Sequence, residues 1–371
     1  MKKTLLATAI AGALAASGAQ AATIYNEDGT KLDLYGNIQL AYSSVENGEG
    51  STEDELFDNG STVGINASHM ITRDLTAYMK AEWEHDVDEA KIDDGIENGD
   101  QAYVGVKGNF GDLRVGSWDP IIDDWAQDKI TNNEFVDVSD SSTDAAGLAS
   151  AAGFSSIDRE GDKVQYASPS FGGFDFALGV QYKGDAEDES GFSPVEDGYT
   201  SQDDEAAFFG GVRYTVGGLQ LAAIYDSLDN YTFESAAGDL EAEAYALSAV
   251  YGFGATTLAA KYERTDLDYG SDDGEVDRYG LSARHGFNFG DVYGGYQFVD
   301  AQDAAYIVDD NAGTFNNAGT LDTGGDEEYN EFLIGATYNL SASMYLWAEA
   351  GVYDREEDAD DFVATGVLYS F

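Results

Sequence analysis

The chain has no cysteine among its 371 residues, three prolines and three histidines, and its 18 lysines and arginines face 71 aspartates and glutamates. Without cysteine there can be no disulfide, no thiolate metal site and no cysteine nucleophile. A chain this poor in bases cannot present the clustered Lys and Arg that phosphate backbones require, which excludes nucleic acid as a partner. His69, His85 and His285 lie far apart and show no ligand spacing, so a zinc centre is not expected. Beyond residue 21 no apolar run approaches the roughly 18 to 20 residues of a membrane-spanning helix. The glycine-rich stretches lack the strand-then-helix setting of a phosphate loop. The pairs Asp93-Asp94, Asp272-Asp273 and Asp309-Asp310 lack EF-hand spacing. They allow only loose calcium or magnesium at the surface, and no cofactor is expected.

What is present begins with a leader. Lys2 and Lys3 form a positive start, 5–16 an apolar stretch, and Ala19-Gln20-Ala21 a small-residue cleavage site. Residues 1–21 therefore read as a secretory signal peptide and 22–371 as the working chain. Losing Lys2 and Lys3 leaves 16 bases against 71 acids, a formal charge of −55. Such a surface repels itself and needs screening by salt or cations.

The remaining chain alternates. In 31–43, Leu32, Leu34, Ile38, Leu40 and Tyr42 share one phase, and Asp33, Asn37 and Gln39 the other. A period of two marks a strand with one apolar and one polar face. Similar segments fall at 61–70, 74–85, 100–108, 111–118, 159–168, 174–184, 206–216, 219–228, 240–251, 256–266, 275–287, 291–299, 328–338, 344–354 and 361–371. That makes sixteen, each about the 9 to 11 residues with which a tilted strand crosses a bilayer, or slightly longer.

The connections take turns between two kinds. Seven are tight and rich in glycine and asparagine, such as Gly108-Asn109-Phe110-Gly111 and Asn288-Phe289-Gly290, and these residues supply the positive φ of hairpin turns. Eight are long and acidic, among them 46–60, 185–204 and 301–327. Short turns at one end, long loops at the other and an even strand count describe an antiparallel transmembrane β-barrel. In such a barrel the apolar set of 74–85 (Leu75, Ala77, Met79, Ala81, Trp83) faces lipid, and Thr76, Tyr78, Lys80, Glu82 and Glu84 line the lumen. Aromatics gather at the tight-turn ends, as an interfacial girdle requires. An open edge in hydrocarbon would strand backbone groups, so the first and last strands are expected to pair.

One connection stands apart. Residues 119–158 show no sustained period and hold nine carboxylates against one base, Lys129. A loop of that length inside a compact domain is usually functional. The reading favoured here is that it folds inward and narrows the barrel; the alternative is a solvated lid.

The ordered set of segments resembles the general porins of Gram-negative outer membranes along the whole working chain. Lys31-Leu32-Asp33-Leu34-Tyr35-Gly36 is similar to the family's first strand, and Asp74 through Glu82 to its third. The most specific match runs from Arg159 through Val164, Tyr166, Ser168-Pro169, Phe171, Gly173-Phe174 and Tyr182. Gly366-Val367-Leu368-Tyr369-Ser370-Phe371 resembles the terminal-aromatic signal read by the barrel assembly machinery. The resemblance implies a homotrimer in outer-membrane lipid and lipopolysaccharide, exported through the periplasm and passing small hydrophilic solutes and cations. It also implies an inward third loop facing a basic wall. Asn133-Glu134-Phe135-Val136 sits where the family often has Pro-Glu-Phe-Gly, which makes Glu134 the leading constriction carboxylate, followed by Asp124 and Asp128. On the wall, Arg159 matches a ladder arginine and shares phase with Lys163; Glu82 matches an inward carboxylate, with Lys80 in phase beside it.

Departures from the family pattern point to charge selectivity. Asn37 stands where some relatives have a lysine, and Thr62 and Asp100 where they have arginines. A wall stripped of bases opposite an acidic loop concentrates cations, so cation selectivity is expected. A competing account treats the acidity as a coat suited to saline surroundings. Three other functions stay open on sequence alone: a substrate-specific channel, for which Tyr345, Trp347 and Glu349 share a phase; an adhesin; and an outer-membrane enzyme on a barrel.

Overall fold

The computed structural model describes residues 21–46, 51–88, 99–126, 134–135, 161–182, 199–202, 206–228, 233–235, 238–268, 273–305, 324–354 and 361–371. Strand β1 (Ala22–Glu27) turns through Asp28 and Gly29, both at positive φ, into β2 (Thr30–Glu46). β3 (Thr52–Asp58) and β4 (Thr62–Thr72) form one interrupted stave beside β2. Then come β5 (Leu75–Glu84), β6 (Gly99–Gly108), β7 (Gly111–Ser117), β8 (Lys163–Ala167), β9 (Phe174–Gln181), β10 (Tyr199–Gln202), β11 (Ala207–Val216) and β12 (Leu219–Ser227). β13 (Phe233–Ser235), β14 (Gly238–Phe253), β15 (Thr256–Asp268), β16 (Asp273–Phe287), β17 (Gly290–Gln302), β18 (Glu327–Asn339), β19 (Met344–Tyr353) and β20 (Phe362–Ser370) complete the order. All pairings are antiparallel, and β20 pairs with β2 from Asn37↔Ser370 to Val45↔Phe362. With β3 and β4 counted as one stave, and β1, β10 and β13 as additions, the wall is a closed barrel of sixteen strands.

The seam is made by both ends of the chain. β1 covers β2 over Ala22↔Leu34 to Glu27↔Thr30, and β20 takes over above it. At the junction Gly36 donates to the Phe371 carbonyl at 3.2 Å and accepts from the Phe371 N–H at 3.0 Å. No edge is left to hydrocarbon, where each unpaired backbone group would cost several kcal/mol.

The alternation sorts the side chains as the pattern requires. Val104, Leu178, Val212, Leu221, Leu247, Leu281 and Ile334 are exposed and point outward. Phe110, Phe171, Phe253, Phe287, Phe289 and Tyr338 ring the short-turn end, and Tyr182, Phe208, Tyr245, Tyr279 and Phe332 ring the other. So much exposed apolar surface is stable only in a bilayer, with aromatics at its two interfaces. Among the described residues no helix is long and apolar enough to span a membrane.

Three local readings need correction. Within 46–60, expected as one loop, 52–58 instead form β3, paired with β2 from Leu40↔Asp58 to Glu46↔Thr52. Segment 22–27, left outside the sixteen, is a strand. The start of the stretch read as aperiodic forms a short helix, α1 (Ile121–Trp125), entered through Pro120 at φ −56°, an angle its ring already imposes.

Candidate functional site

Between β3 and β4 the Asp58 carboxylate accepts the backbone N–H of Gly60 at 2.9 Å and of Ser61 at 2.6 Å, and Gly60 adopts φ +86°. This local turn breaks the stave and turns Asn59 toward the interior, where its side-chain amide donates to the Glu134 carbonyl. The inward face of β19 supplies the principal anchor. Glu349 Oε1 accepts the Glu134 N–H at 2.8 Å and the Tyr293 hydroxyl at 2.5 Å, and Oε2 accepts the Phe135 N–H at 2.9 Å. The Tyr345 hydroxyl, four residues before Glu349 on the same face, donates to the Glu134 carboxylate, 3.0 and 3.1 Å from its two oxygens. Glu134 and Glu349 are both buried. The Phe135 ring is wedged between Phe57 and Phe362, at centroid distances of 5.6 and 5.0 Å.

Tyr293 reaches Glu349 because of a glycine. Its ring lies across Gly335 of β18, where a Cβ would meet the ring at 2.3 Å. Only a residue without a side chain lets an inward tyrosine lie flat over the neighbouring strand.

The opposite wall holds its part of the same chain segment differently. Ile121 and Ile122 of α1 are buried in an apolar cluster with Phe209, Ile224 and Leu228 from β11, β12 and the residue after it. The Trp125 ring rests on Gly211, with the Arg213 guanidinium 4.5 Å above its centroid, and the Trp125 carbonyl accepts the Ser248 hydroxyl at 2.7 Å. Arg114 lies 4.1 Å over Trp118, and Lys163 donates to the Trp118 carbonyl.

The residues singled out in the sequence fall into separate places. Glu134 joins the Glu349 anchor. Asp124, in α1, has its carboxylate 3.9 Å from Arg114. Lys80 pairs with Glu82 at 2.8 Å and donates to Gln101 at 3.0 Å; Gln101 in turn donates to Asp119 at 2.8 Å. Lys163 is buried, its ammonium occupied by the Trp118 carbonyl. Asp100 lies in β6, its side chain outside the described residues, as are Asp128 and Arg159. Arg114, Arg213, Asn59 and Tyr293 were not singled out by sequence reasoning. Glu349 was noticed only as a phase partner of Tyr345 and Trp347. Its contact with Glu134 spans 215 positions, and no local pattern announces it.

Charge on the inner wall is strongly compensated. Lys80 and Glu82 (2.8 Å), Arg213 and Asp175 (2.9 Å), Lys261 and Glu263 (3.0 Å), Arg114 and Asp124 (3.9 Å), and Arg284 and Asp291 are ion pairs. Among the described residues no group of three or more His, Cys, Asp or Glu could hold a metal ion.

A closed sixteen-strand barrel with an apolar exterior, a polar lumen and a loop segment bound to the inner wall defines the class of outer-membrane channel proteins. The model describing Gram-negative porins matches residues 7–358, and the chain belongs to that family. It is 48% identical, over the full length of both chains, to a protein of a Halomonas species named monosaccharide porin, and equally to the major outer membrane protein of Halomonas elongata. Its fold is similar to the anion-selective porin of Comamonas acidovorans (TM-score 0.66, 17% identity, 92% of this chain and 100% of that one). It also resembles Salmonella typhi OmpF (TM-score 0.62, 19% identity, 94% and 100%) and a trimer form of Vibrio cholerae OmpT (TM-score 0.62, 16% identity, 93% and 100%). The protein is thus an outer-membrane porin of a Gram-negative envelope, a member of a family of channels and not an enzyme.

Proposed function

We propose that this porin is a general diffusion channel for small hydrophilic solutes, monosaccharides among them, and that it favours cations. The observation that carries the charge preference is the pairing of five of the described lumen bases, each of which faces a carboxylate. Paired charges cancel at a distance, so the acids in excess, Glu134 and Glu349 included, set the sign of the potential. A low-dielectric wall focuses that potential and enriches cations in the lumen. The fold alone leaves the sign open, since a structural neighbour is named anion-selective.

In this reading the whole 119–158 connection lies inside the barrel as the third loop, with α1 on one wall and residues 134–135 on the other. The wall contacts of α1 and of residues 134–135, both in the first half of the connection, support it. Asp124 and Glu134, with Asp128, Arg159, Lys163, Lys80, Glu82 and Asp100, belong to the constriction region. Residues 1–21 serve as an export signal. A trimer is supported by the likeness in fold to Vibrio cholerae OmpT, one structure of which is a trimer form. Lipopolysaccharide around the remaining wall and the assembly machinery at Phe371 complete the partners.

Planar-bilayer recording across a KCl gradient tests the selectivity. The expected reversal potential lies on the cation side, and Glu134→Gln combined with Asp124→Asn moves it toward zero. An anion-side potential, or no movement in the double variant, refutes the assignment.

A further inference from the structure

We infer that a hollow on the inner wall, on the short-turn side of α1, is a binding subsite for one neutral sugar ring. This rests on the channel reading above and adds a place where the solute pauses. The hollow has a volume of about 370 Å³ and is lined by Asp112, Arg114, Asp124, Gln165, Asp175 and Arg213, with Ile121, Trp125 and Ala167 as apolar surface. Its size falls at the small end of small-molecule pockets, roughly 300 to 1,000 Å³.

The lining sets two arginines against three aspartates, the third of which, Asp112, accepts the Tyr78 hydroxyl. Arg213 is held by Asp175, with Nη2 to Oδ1 at 2.9 Å and Nε to Oδ1 at 3.1 Å, and Arg114 faces Asp124 at 3.9 Å. Positive and negative groups are interleaved along β7, β9 and β11 and not segregated into two faces. What the lining offers is planar forks: guanidiniums that donate in pairs, carboxylates that accept in pairs, and an amide that does both. Adjacent hydroxyls on a ring donate and accept together, and they match such forks. The forks are also fixed before any solute arrives. The Arg114 plane lies 4.1 Å over Trp118, that of Arg213 4.5 Å over Trp125, and Tyr78 donates to Asp112. Preorganisation of this kind reduces the entropy lost on binding. Ala167 and the rim of the Trp125 ring, whose two faces are already covered, leave a small apolar contact for the C–H groups of a ring.

The test is titration of the KCl current of the reconstituted full chain with D-glucose in planar bilayers. Saturable reduction of the current is expected. Arg213→Gln should weaken the apparent affinity about tenfold, the worth of one charge-assisted hydrogen bond. Gln165→Ala leaves both ion pairs in place and should weaken it several-fold, which keeps the test open if the arginine variant does not assemble. A current that falls linearly without saturating, or an affinity unchanged in both variants, overturns the subsite while leaving the channel standing. Saturation by glycine betaine but not by glucose overturns the sugar assignment in favour of zwitterions. A membrane that conducts no KCl before sugar is added fails the channel reading itself.

Discussion

The two sides of the lumen hold one stretch of chain by opposite means. On the β11 to β12 side α1 is fixed by apolar burial, with Ile121 and Ile122 in a hydrophobic cluster and Trp125 between a glycine and a guanidinium. On the β17 to β20 side residues 134–135 are fixed mainly by directed hydrogen bonds, both backbone N–H groups to Glu349 and the Glu134 carboxylate from Tyr345, with the Phe135 ring packed between Phe57 and Phe362. Burial is non-directional and tolerates small shifts. A buried carboxylate holding two backbone N–H groups specifies a position, and losing it leaves donors without partners. The first side gives adhesion, the second register.

The largest effect should come from the directional side. Glu349→Ala orphans two backbone donors and the Tyr293 hydroxyl, a cost of about 3–9 kcal/mol at roughly 1–3 kcal/mol for each of the three groups. Amide hydrogen exchange at 134–135 should accelerate by about two orders of magnitude or more, and open-channel noise should rise. Glu349→Gln keeps an acceptor and should do less. Equal behaviour of the two variants would mean that residues 134–135 are held by something else.

Trp125→Ala probes the adhesive side, at about 3 kcal/mol for loss of a large packed side chain. It also frees Arg213 from its stacking partner. Thermal melting of the reconstituted barrel should change little, because the strands are untouched, while exchange within α1 rises. Unchanged exchange there would break the comparison.

Gly335→Ala comes next, at about 1–3 kcal/mol for overpacking. The new methyl pushes the Tyr293 ring from its seat and withdraws its hydroxyl from Glu349. Tyr293→Phe is the matched control and should reproduce the loosening at 134–135 without the clash. Last is Glu82→Gln, which removes a partly exposed ion-pair partner of Lys80 worth about 0–1 kcal/mol. Stability should hardly move. The freed ammonium should instead make the reversal potential less cation-favouring, and that shift sharpens the selectivity argument.

The barrel was legible because its physics is local. Lipid outside and water inside impose a period of two on every stave, and the tight turns need glycine or asparagine, so sixteen segments could be placed from side-chain alternation alone. β3 escaped because Thr52-Glu53-Asp54-Glu55-Leu56-Phe57-Asp58 carries four carboxylates and reads as a loop. β1 escaped although Asp28-Gly29 is a strong hairpin signal, because its strand is short and exposed on both faces. The site was legible only in part. Glu134 was reached through family likeness, and Lys80 with Glu82 through phase. Glu349 was not, since its role depends on a loop returning across 215 residues. Arg114 and Arg213 look like ordinary strand residues until two indoles are folded beneath them.

The junction of Gly36 with Phe371 has a bearing on how the molecule is made. The contact that turns a sheet into a cylinder joins Gly36 in the first strand of the wall to Phe371 beyond the last, so it cannot form before both have been made. Every earlier intermediate carries two unpaired rims of N–H and C=O, the kind of edge that recruits foreign strands. Completion is therefore slow, dominated by one distant pairing, and the rims must be shielded in transit.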